Sequence, residues 1–462
     1  MIGGARDEQS SDGQGDGQGD GQDVGQSGGA RQRVERVGRA VQRWAERIRR
    51  LWRERPRPLQ GVGGRWPALR ALRDFLATES ASSILLVGGA VLALLWANSP
   101  WSGGYDSLWS HSMSIGSGDF GIQLDLRHWV NDGLMVLFFL VIGLEIKREL
   151  TIGHLSGKRA AIVPFAAALG GMVVPALIYL SIAGDEAPRG WGVPIATDIA
   201  LAVGALTLAG RVVPSSLRAY LLGLAVIDDI GAILVIALFY SSGIGIWWLL
   251  VAIAAVASVP FMQRKGVDQL AAYVAVGVVL WYLLLQSGVH PTLAGVAMGV
   301  LAPVRVIDQL EFRLHPWTGF VVVPLFALAN AGIEISGRTL SDAIGAPIMW
   351  AVFLGLVVGK PLGVFMATRY AVQSGFGTAP AGTNRRHLLG AGTAAGIGFT
   401  VALFVAELAF EYPKQVEAAK MAILLASIVS GGLSYWLLRH RGPVVSADVT
   451  TERIAVAPAA SE

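Results

Sequence analysis

Two adjacent aspartates, Asp228 and Asp229, interrupt an apolar run over residues 221–240 that is long enough to cross a bilayer as a helix. A carboxylate near the middle of a membrane span costs roughly 2.5 to 3.5 kcal/mol on insertion scales. Two such groups side by side predict that this span binds or transports an ion or a proton. The alternative is a neutralised pair kept for helix packing, although a single polar residue would serve packing at a lower cost.

Three other polar positions interrupt apolar runs, and we predict that they accompany the aspartate pair. Thr197 and Asp198 follow Pro194 in mid-span, where they compete with the helical hydrogen bonds, so this helix is expected to break there. The glycine-rich segment 392–400 is a second candidate for an unwound stretch, although close helix packing also uses glycine. Lys360 lies too deep in its span to reach water easily and needs an anionic partner, unless the span boundary is shifted and it is an interfacial lysine.

The composition is that of a membrane protein. Hydrophobic residues make up 53% of the chain and charged residues 15%, whereas soluble domains average about 25% charged residues. The absence of cysteine excludes disulfides and thiolate metal sites. The first apolar run begins near residue 83, so no cleavable signal peptide is expected.

We predict an all-α polytopic fold of twelve transmembrane helices, centred near residues 89, 138, 170, 201, 230, 253, 278, 297, 325, 359, 399 and 427. An even number places both termini on one side, and the loops of that side carry most of the lysines and arginines. The positive-inside rule therefore predicts cytoplasmic termini. The two interrupted spans are the middle members of spans three to five and ten to twelve, as in a transporter with inverted repeats and two crossed, broken helices.

The segments outside the predicted membrane domain, residues 77–441, differ in character. Residues 1–30 are rich in Gly, Gln and Asp and are predicted to be disordered. Residues 31–76 include a basic helix with one apolar stripe, which suits the cytoplasmic surface of an anionic membrane; a solvated helix or a nucleic-acid-binding helix is the alternative. Residues 442–462 are predicted to be a loose cytoplasmic tail.

The long first external loop alternates polar and apolar residues on both sides of Gly116-Ser117-Gly118-Asp119 and predicts a β-hairpin within residues 109–126. A lone two-stranded hairpin is marginal in water. A second copy of the chain is its simplest partner, which predicts a homodimer; an unpaired ordered loop is the alternative.

With these residues in view, the chain resembles the NhaA family of sodium/proton antiporters from about residue 75 to residue 440. The segments that carry the resemblance are W-V-N-D-G-L-M-V-L-F-F-L-V-I-G-L-E-I-K-R-E-L (129–150), A-T-D-I-A (196–200), A-V-I-D-D-I-G-A-I (225–233), S-G-V-H-P-T-L-A-G-V (287–296), L-H-P-W (314–317), P-L-F-A-L-A-N-A-G (324–332), G-K-P-L-G (359–363) and G-I-G-F-T (396–400). The extended amino terminus is the main departure from the family pattern.

The resemblance implies roles for the polar residues of the spans. Asp229 would be the principal ligand of the sodium ion, with Asp228 as its neighbour in the proton and sodium cycle. Lys360 would pair with Asp228 in one state of the cycle. Thr197 and Asp198 would lie at the helix crossing and offset the exposed helix dipoles.

The resemblance also implies a cytoplasmic pH-responsive cluster, formed by Glu145, Lys147, Arg148, Glu149, Glu311 and His315, and a further pH-linked position at His290. An interfacial charge belt is the alternative for the cluster, and a hydrogen-bonded histidine at a helix end is the alternative for His290. Asn131 and Asp132 also match the family, without a role that physical reasoning assigns.

The function implied is an electrogenic, pH-regulated exchange of Na⁺ or Li⁺ for protons by alternating access in a bacterial inner membrane, with no enzymatic activity, no cofactor and no nucleic-acid partner. Protons and sodium would compete for the same carboxylate oxygens. One alternative is a sodium-coupled solute symporter of related fold. An intramembrane aspartyl protease is poorly supported, because its G-x-G-D motif occurs only in polar segments, at 13–16, 17–20 and 116–119.

Overall fold

The computed structural model describes residues 79–116, 121–153, 158–210, 213–241, 243–267, 269–303 and 306–439. The predicted disordered segment 1–30, the basic segment 31–76 and the tail 442–462 lie outside the described residues.

The described chain is helical apart from one small hairpin. Its helices are α1 (Glu79–Ala97), α2 (Ser102–Trp109), α3 (Leu126–Thr151), α4 (Lys158–Ala183), α5 (Ile199–Ala209), α6 (Ser215–Phe239), α7 (Ile246–Arg264), α8 (Leu270–Ser287), α9 (Leu293–Leu301), α10 (Ile307–Asn330), α11 (Gly337–Gly345), α12 (Pro347–Gln373), α13 (Arg385–Ala395), α14 (Phe399–Ala409) and α15 (Pro413–Arg439). A 3₁₀ segment, Pro188–Ile195, precedes α5.

The predicted polytopic helical fold is confirmed. Within the described ranges, nine helices are long and apolar enough to cross a membrane, and two bent helix pairs raise the number to eleven. The predicted span centred near residue 297 is α9, which has nine residues and is about 13 Å long at 1.5 Å per residue. It is shorter than a full span because Gly288, at φ 75°, ends α8 and a turn through Pro291 precedes α9. The count of twelve therefore includes one short helix.

The predicted hairpin is present. Strand β1 (Ser112–Ile115) pairs antiparallel with β2 (Ile122–Asp125), with Ser112 opposite Asp125 and Ile115 opposite Ile122. The Asp125 carboxylate accepts a hydrogen bond of 2.7 Å from the backbone N–H of His128. Asp125 thus caps the first turn of α3, so the hairpin leads directly into that helix.

Both predicted helix interruptions are present, each for a local reason. The 3₁₀ segment ends at Ile195 and the chain is extended until Asp198, which caps α5. The second break separates α13 from α14, whose axes differ by 46°. A Cβ at Gly396 would lie 2.5 Å from the carbonyl oxygen of Leu356 in α12, so the break needs glycine for this close approach.

Three of the helices contain a π-helical turn, which the sequence pattern did not predict. These turns are Trp129–Leu134 in α3, Thr318–Val322 in α10 and Gly355–Gly359 in α12. A π-turn accommodates one extra residue and is frequent at functional sites. The third turn directly precedes Lys360.

Small residues bring some helix backbones into contact. A Cβ at Gly143 in α3 would lie 2.6 Å from the carbonyl oxygen of Val296 in α9. Such close packing is the usual way in which helices associate in a membrane, where lipid is as apolar as the helix surface.

The close contact of α3 with α9 is testable. We expect Gly143→Ala to lose about 1 to 3 kcal/mol of stability, because a methyl group is forced against backbone. Gly88→Ala in α1 is the control, because a Cβ there meets nothing within 4 Å and alanine favours a helix interior by about 1 kcal/mol. Thermal unfolding of the two purified variants gives the comparison. Equal stability would contradict the packing described.

Candidate ion-binding site

The two interrupted helices cross at their breaks and are bonded to each other there. The backbone N–H of Asp198 donates to the carbonyl oxygen of Ile397, at 2.7 Å. The Thr197 hydroxyl lies 2.8 Å from the carbonyl oxygen of Ala395. Backbone groups freed by one break are therefore satisfied by the other, as a non-helical segment inside a membrane requires.

The buried Asp198 carboxylate joins the amino ends of two half-helices. Its Oδ1 accepts from the N–H of Leu201, in the first turn of α5, at 3.0 Å. Its Oδ2 accepts from the N–H of Thr400 at 3.1 Å and from the Thr400 hydroxyl at 2.7 Å, at the start of α14. Both helix ends carry partial positive charge, so one carboxylate compensates two helix dipoles.

Lys360 and Asp228 form an ion pair beside this crossing. The Lys360 Nζ lies 2.7 Å from Asp228 Oδ2, and both side chains are fully buried. Lys360 also donates to the carbonyl oxygen of Ile195, the last residue before the first break. The lysine is therefore held by a carboxylate from α6 and by backbone from the crossing.

Thr197 connects the ion pair to the crossing. Its hydroxyl is 2.8 Å from Asp228 Oδ2 and 2.8 Å from the Ala395 carbonyl. A hydroxyl has one hydrogen, so it can donate to one of these oxygens at a time.

Asp229 is buried next to the ion pair and has no hydrogen-bond donor among the described residues. It lies within electrostatic range of Glu145, Asp228 and Asp198, all acidic, and of the Lys360 ammonium. Asp228 Oδ1 also has no hydrogen-bond partner in the described part of the chain. The site thus presents free carboxylate oxygens in a region where acidic groups outnumber the one lysine.

The available ligands suit a hard monovalent cation or a proton. The described ranges contain no group of three or more His, Cys, Asp or Glu side chains arranged to hold a metal ion. A sodium ion bound here would draw on one or two carboxylates together with carbonyl, hydroxyl or water oxygens, which are the ligands hard cations prefer. It would be a transported substrate.

Part of the predicted pH-responsive cluster comes together at the far end of α3. Arg148 Nη1 is 2.6 Å from Glu311 Oε2, which links α3 to α10. Glu145, one turn before Glu149, lies on the Asp229 side of this pair. Lys147 is half-buried and His315 is exposed. The cluster therefore reaches from the surface to within electrostatic range of Asp229.

His290 lies apart from that cluster. Its Nδ1 is 2.7 Å from the Thr292 hydroxyl and its Nε2 is 3.3 Å from Asp132 Oδ1. Both the pH-linked position and the hydrogen-bonded histidine given as its alternative fit these contacts, so the role of His290 stays a prediction. Asn131, next to Asp132, exchanges two hydrogen bonds with Asn330 across α3 and α10, at 3.2 and 2.8 Å.

Two polar contacts near the site were missed by sequence reasoning. Thr400 was noted only as the last residue of the G-I-G-F-T segment, but its hydroxyl donates to the Asp198 carboxylate. The Tyr220 hydroxyl lies 2.5 Å from the Thr368 hydroxyl, where α6 meets α12 two turns from the ion pair. Tyr220 precedes Asp228 by eight residues and Thr368 follows Lys360 by eight. Each residue is therefore about two helical turns from its partner in the ion pair, and this spacing could have predicted the contact.

Comparison with known proteins supplies an independent line of evidence. The family model Na⁺/H⁺ antiporter 1 matches residues 73–438. Among curated relatives, the Na⁺/H⁺ antiporter NhaA of Oleidesulfovibrio alaskensis is 42% identical over 80% of this chain and 94% of its own length. The NhaA of Shewanella pealeana is 44% identical over 80% of this chain and 97% of its own. The NhaA 2 of Myxococcus xanthus is 45% identical over 80% and 90%, respectively.

Motifs, crossed broken helices and near-complete coverage of the relatives all agree, and the chain belongs to the Na⁺/H⁺ antiporter 1 family.

Proposed function

We propose that this chain exchanges Na⁺ or Li⁺ for protons across a bacterial plasma membrane, electrogenically and without a cofactor. The observation that carries the proposal is the buried Lys360–Asp228 pair beside an Asp229 with no hydrogen-bond donor, at the crossing of two broken helices. The named relatives are Na⁺/H⁺ antiporters, and this chain shares more than 40% of their residues over most of its length.

The exchange follows from competition for oxygen. Asp229 offers its carboxylate as the main ligand, and a protonated carboxyl is a poor ligand for sodium. An arriving cation also attracts Asp228, so the Lys360 ammonium is released from Oδ2. Asp229 and Lys360 each give up one proton, so two protons leave as one sodium ion binds. When the cation leaves, protons return to the site and Lys360 pairs again with Asp228.

In the alternating-access cycle, the helices move about the crossing of the two broken helices. Asp198 holds the amino ends of α5 and α14 together through Leu201 and Thr400, so the two half-helices move with the site. Movement of this unit against neighbouring helices would open the site to one side and then the other. More protons than sodium ions move in each cycle, which couples exchange to membrane potential.

We assign the orientation from charge. The hairpin end of the molecule, where β1, β2 and the start of α3 lie, would face outward. The opposite end of α3 carries Lys147 and Arg148 and would face the cytoplasm, as would both termini.

We further propose that the Arg148–Glu311 pair regulates exchange by pH. The pair lies at the same end of α3 as Glu145, which is within electrostatic range of Asp229. A change in the charge of the pair would therefore reach Asp229 through Glu145.

A homodimer through the hairpin completes the proposal. All four residues of β1 are exposed, including Met113 at 44% and Ile115 at 55%. The strand has one free edge among the described residues, and such an edge readily pairs with another copy.

The central test is replacement of Asp229. In inside-out vesicles with an imposed proton gradient, added sodium or lithium should collapse the gradient for the wild-type chain, because exchange carries protons out of the vesicles as the cation enters. Asp229→Asn should lose at least about 99% of this activity, since the main anionic ligand is gone. Asp185→Asn, an exposed loop carboxylate, is the control and should exchange normally. Collapse of the gradient with Asp229→Asn would contradict the role of Asp229, and no collapse with the wild-type chain would contradict the exchange itself.

The regulatory pair has its own test. Glu311→Gln removes the negative charge opposite Arg148 and leaves the arginine unpaired. The unpaired positive charge makes protonation of nearby groups less favourable. The pH profile of exchange should therefore move to lower pH by about half a unit or more. Glu411→Gln is the matched control, because Glu411 forms an exposed 3.5 Å pair with Arg189 at the hairpin end. Identical pH profiles for the two variants would contradict the regulatory role.

The dimer is testable because the chain has no cysteine. Ile115→Cys should form a disulfide-linked dimer under mild oxidation in membranes, since identical hairpins would lie together. Tyr412, at 66% exposed, is at least as exposed as Ile115 at the same end, and Tyr412→Cys should remain monomeric on the gel. Equal cross-linking of both variants would show random collision and contradict the interface.

A further inference from the structure

A second buried lysine–carboxylate pair lies at the hairpin end, outside the site at the crossing. The Lys420 Nζ of α15 is 2.5 Å from Glu407 Oε1 of α14. The Lys420 side chain is 7% exposed and that of Glu407 is 21% exposed. The proposed exchange at Asp228 and Asp229 makes no use of this pair.

Glu407 lies on the face of α14 that begins at the ion site. Thr400, Phe404 and Glu407 are spaced by four and three residues, so they line one side of the helix. Thr400 is hydrogen-bonded to Asp198 at the crossing. Seven residues at 1.5 Å each place Glu407 about 10 Å further along the same face.

An aromatic cluster separates Glu407 from the crossing. The ring of Phe404 lies 5.3 Å from that of Phe139, 6.2 Å from that of Phe326 and 5.0 Å from that of His290. The three phenylalanines are buried. Glu407 therefore stands on the outer side of this cluster, and part of its side chain reaches solvent.

The exposed end of the molecule is close to Glu407. One turn further along the chain, Glu411 forms an exposed pair with Arg189. An ion that left the crossing towards the hairpin end, along this face of α14, would meet Glu407 beyond the aromatic cluster.

The charges around Glu407 match those of the inner site. Glu407 Oε1 is a buried carboxylate oxygen 2.5 Å from the Lys420 Nζ, as Asp228 Oδ2 is 2.7 Å from the Lys360 Nζ. Each carboxylate is neutralised by a buried lysine. Arg127 also acts on Lys420 and the exposed Glu417 partly offsets it, so removal of Glu407 would leave buried positive charge.

We propose that Glu407 is a transit site for the transported monovalent cation at the hairpin end, and that Lys420 holds the carboxylate when no cation is present. An outgoing sodium ion displaces the ammonium from Glu407, as it displaces Lys360 from Asp228, and then passes to water. The inference rests on the proposed exchange, which it extends by a second cation site.

The experiment compares the two faces of the membrane. Sodium-dependent proton movement is measured in right-side-out and inside-out vesicles, and the hairpin face is identified by labelling Tyr412→Cys with a membrane-impermeant reagent. Glu407→Gln should raise the apparent KM for sodium at the hairpin face by about fivefold or more, because one attractive charge is lost. The KM at the opposite face should change by less than about twofold, since that path does not cross Glu407 before the crossing.

Replacement of the lysine should change the KM for sodium in the opposite direction. Lys420→Met removes the competing cation and should lower the KM for sodium at the hairpin face, whereas Glu411→Gln should change neither face. If Lys420→Met does not fold, the double variant Glu407→Gln with Lys420→Met replaces it and should show the raised KM of Glu407→Gln alone.

Three outcomes would overturn the inference. The first is a change of KM in the same direction for Glu407→Gln and Lys420→Met, which is the behaviour of a packing contact. The second is an equal change of KM at the two faces, and the third is no change of KM at the hairpin face, in each case while the wild-type chain exchanges sodium normally. Absence of exchange in the wild-type chain would instead overturn the proposed function, and the inference with it.

Discussion

Charge buried in a membrane must be compensated within the protein, and this constraint organises the molecule around Lys360 and Asp228. Neither side chain reaches solvent, and their 2.7 Å contact is what lets each remain in the span. In the proposed exchange the same contact would not be permanent, because a cation at Asp229 would compete with the lysine for the neighbouring carboxylate. One ion pair would then account for both the stability of the empty site and its response to sodium.

The helix breaks answer the same constraint at the level of the backbone. An unwound segment in a membrane exposes N–H and C=O groups that lipid cannot satisfy. Here each break supplies partners for the other, through Asp198 N–H with Ile397 and through the Asp198 carboxylate with Thr400. Lys360 donates to the carbonyl oxygen of Ile195 and also pairs with Asp228, so it stabilises both the broken backbone and the acidic site.

Much of this arrangement could be predicted from the sequence because polar residues in apolar runs are few and costly. Asp228, Lys360 and Asp198 stood out on that ground alone, and the structure brings all three to one place. The breaks were predictable from Pro194 and from the glycines of 392–400. Thr400 was not identified, since a threonine near a helix start has many ordinary uses, and its partner Asp198 is 202 residues away in the chain. The shortness of α9 was hidden because its sequence is as apolar as that of a full span.

The π-helical turns lay beyond sequence reasoning for a different reason. A periodicity argument assumes 3.6 residues per turn throughout a span, and one extra residue rotates everything after it by about 100°. In α12 the turn Gly355–Gly359 ends immediately before Lys360. The direction in which Lys360 projects towards Asp228 therefore depends on backbone geometry in the preceding turn as well as on its own position.

That dependence connects the small residues of α12 with the chemistry of the site. A Cβ at Gly359 would lie 3.0 Å from Pro175 of α4, and a Cβ at Gly355 would lie 2.7 Å from Pro194 beside the first break. The glycines at both ends of the π-turn thus allow α12 to approach the crossing closely enough for the lysine to reach both Asp228 and Ile195. Because close packing, a wide helical turn and a deep lysine act together here, the glycines that look like packing residues in the sequence also fix the geometry of the ion pair.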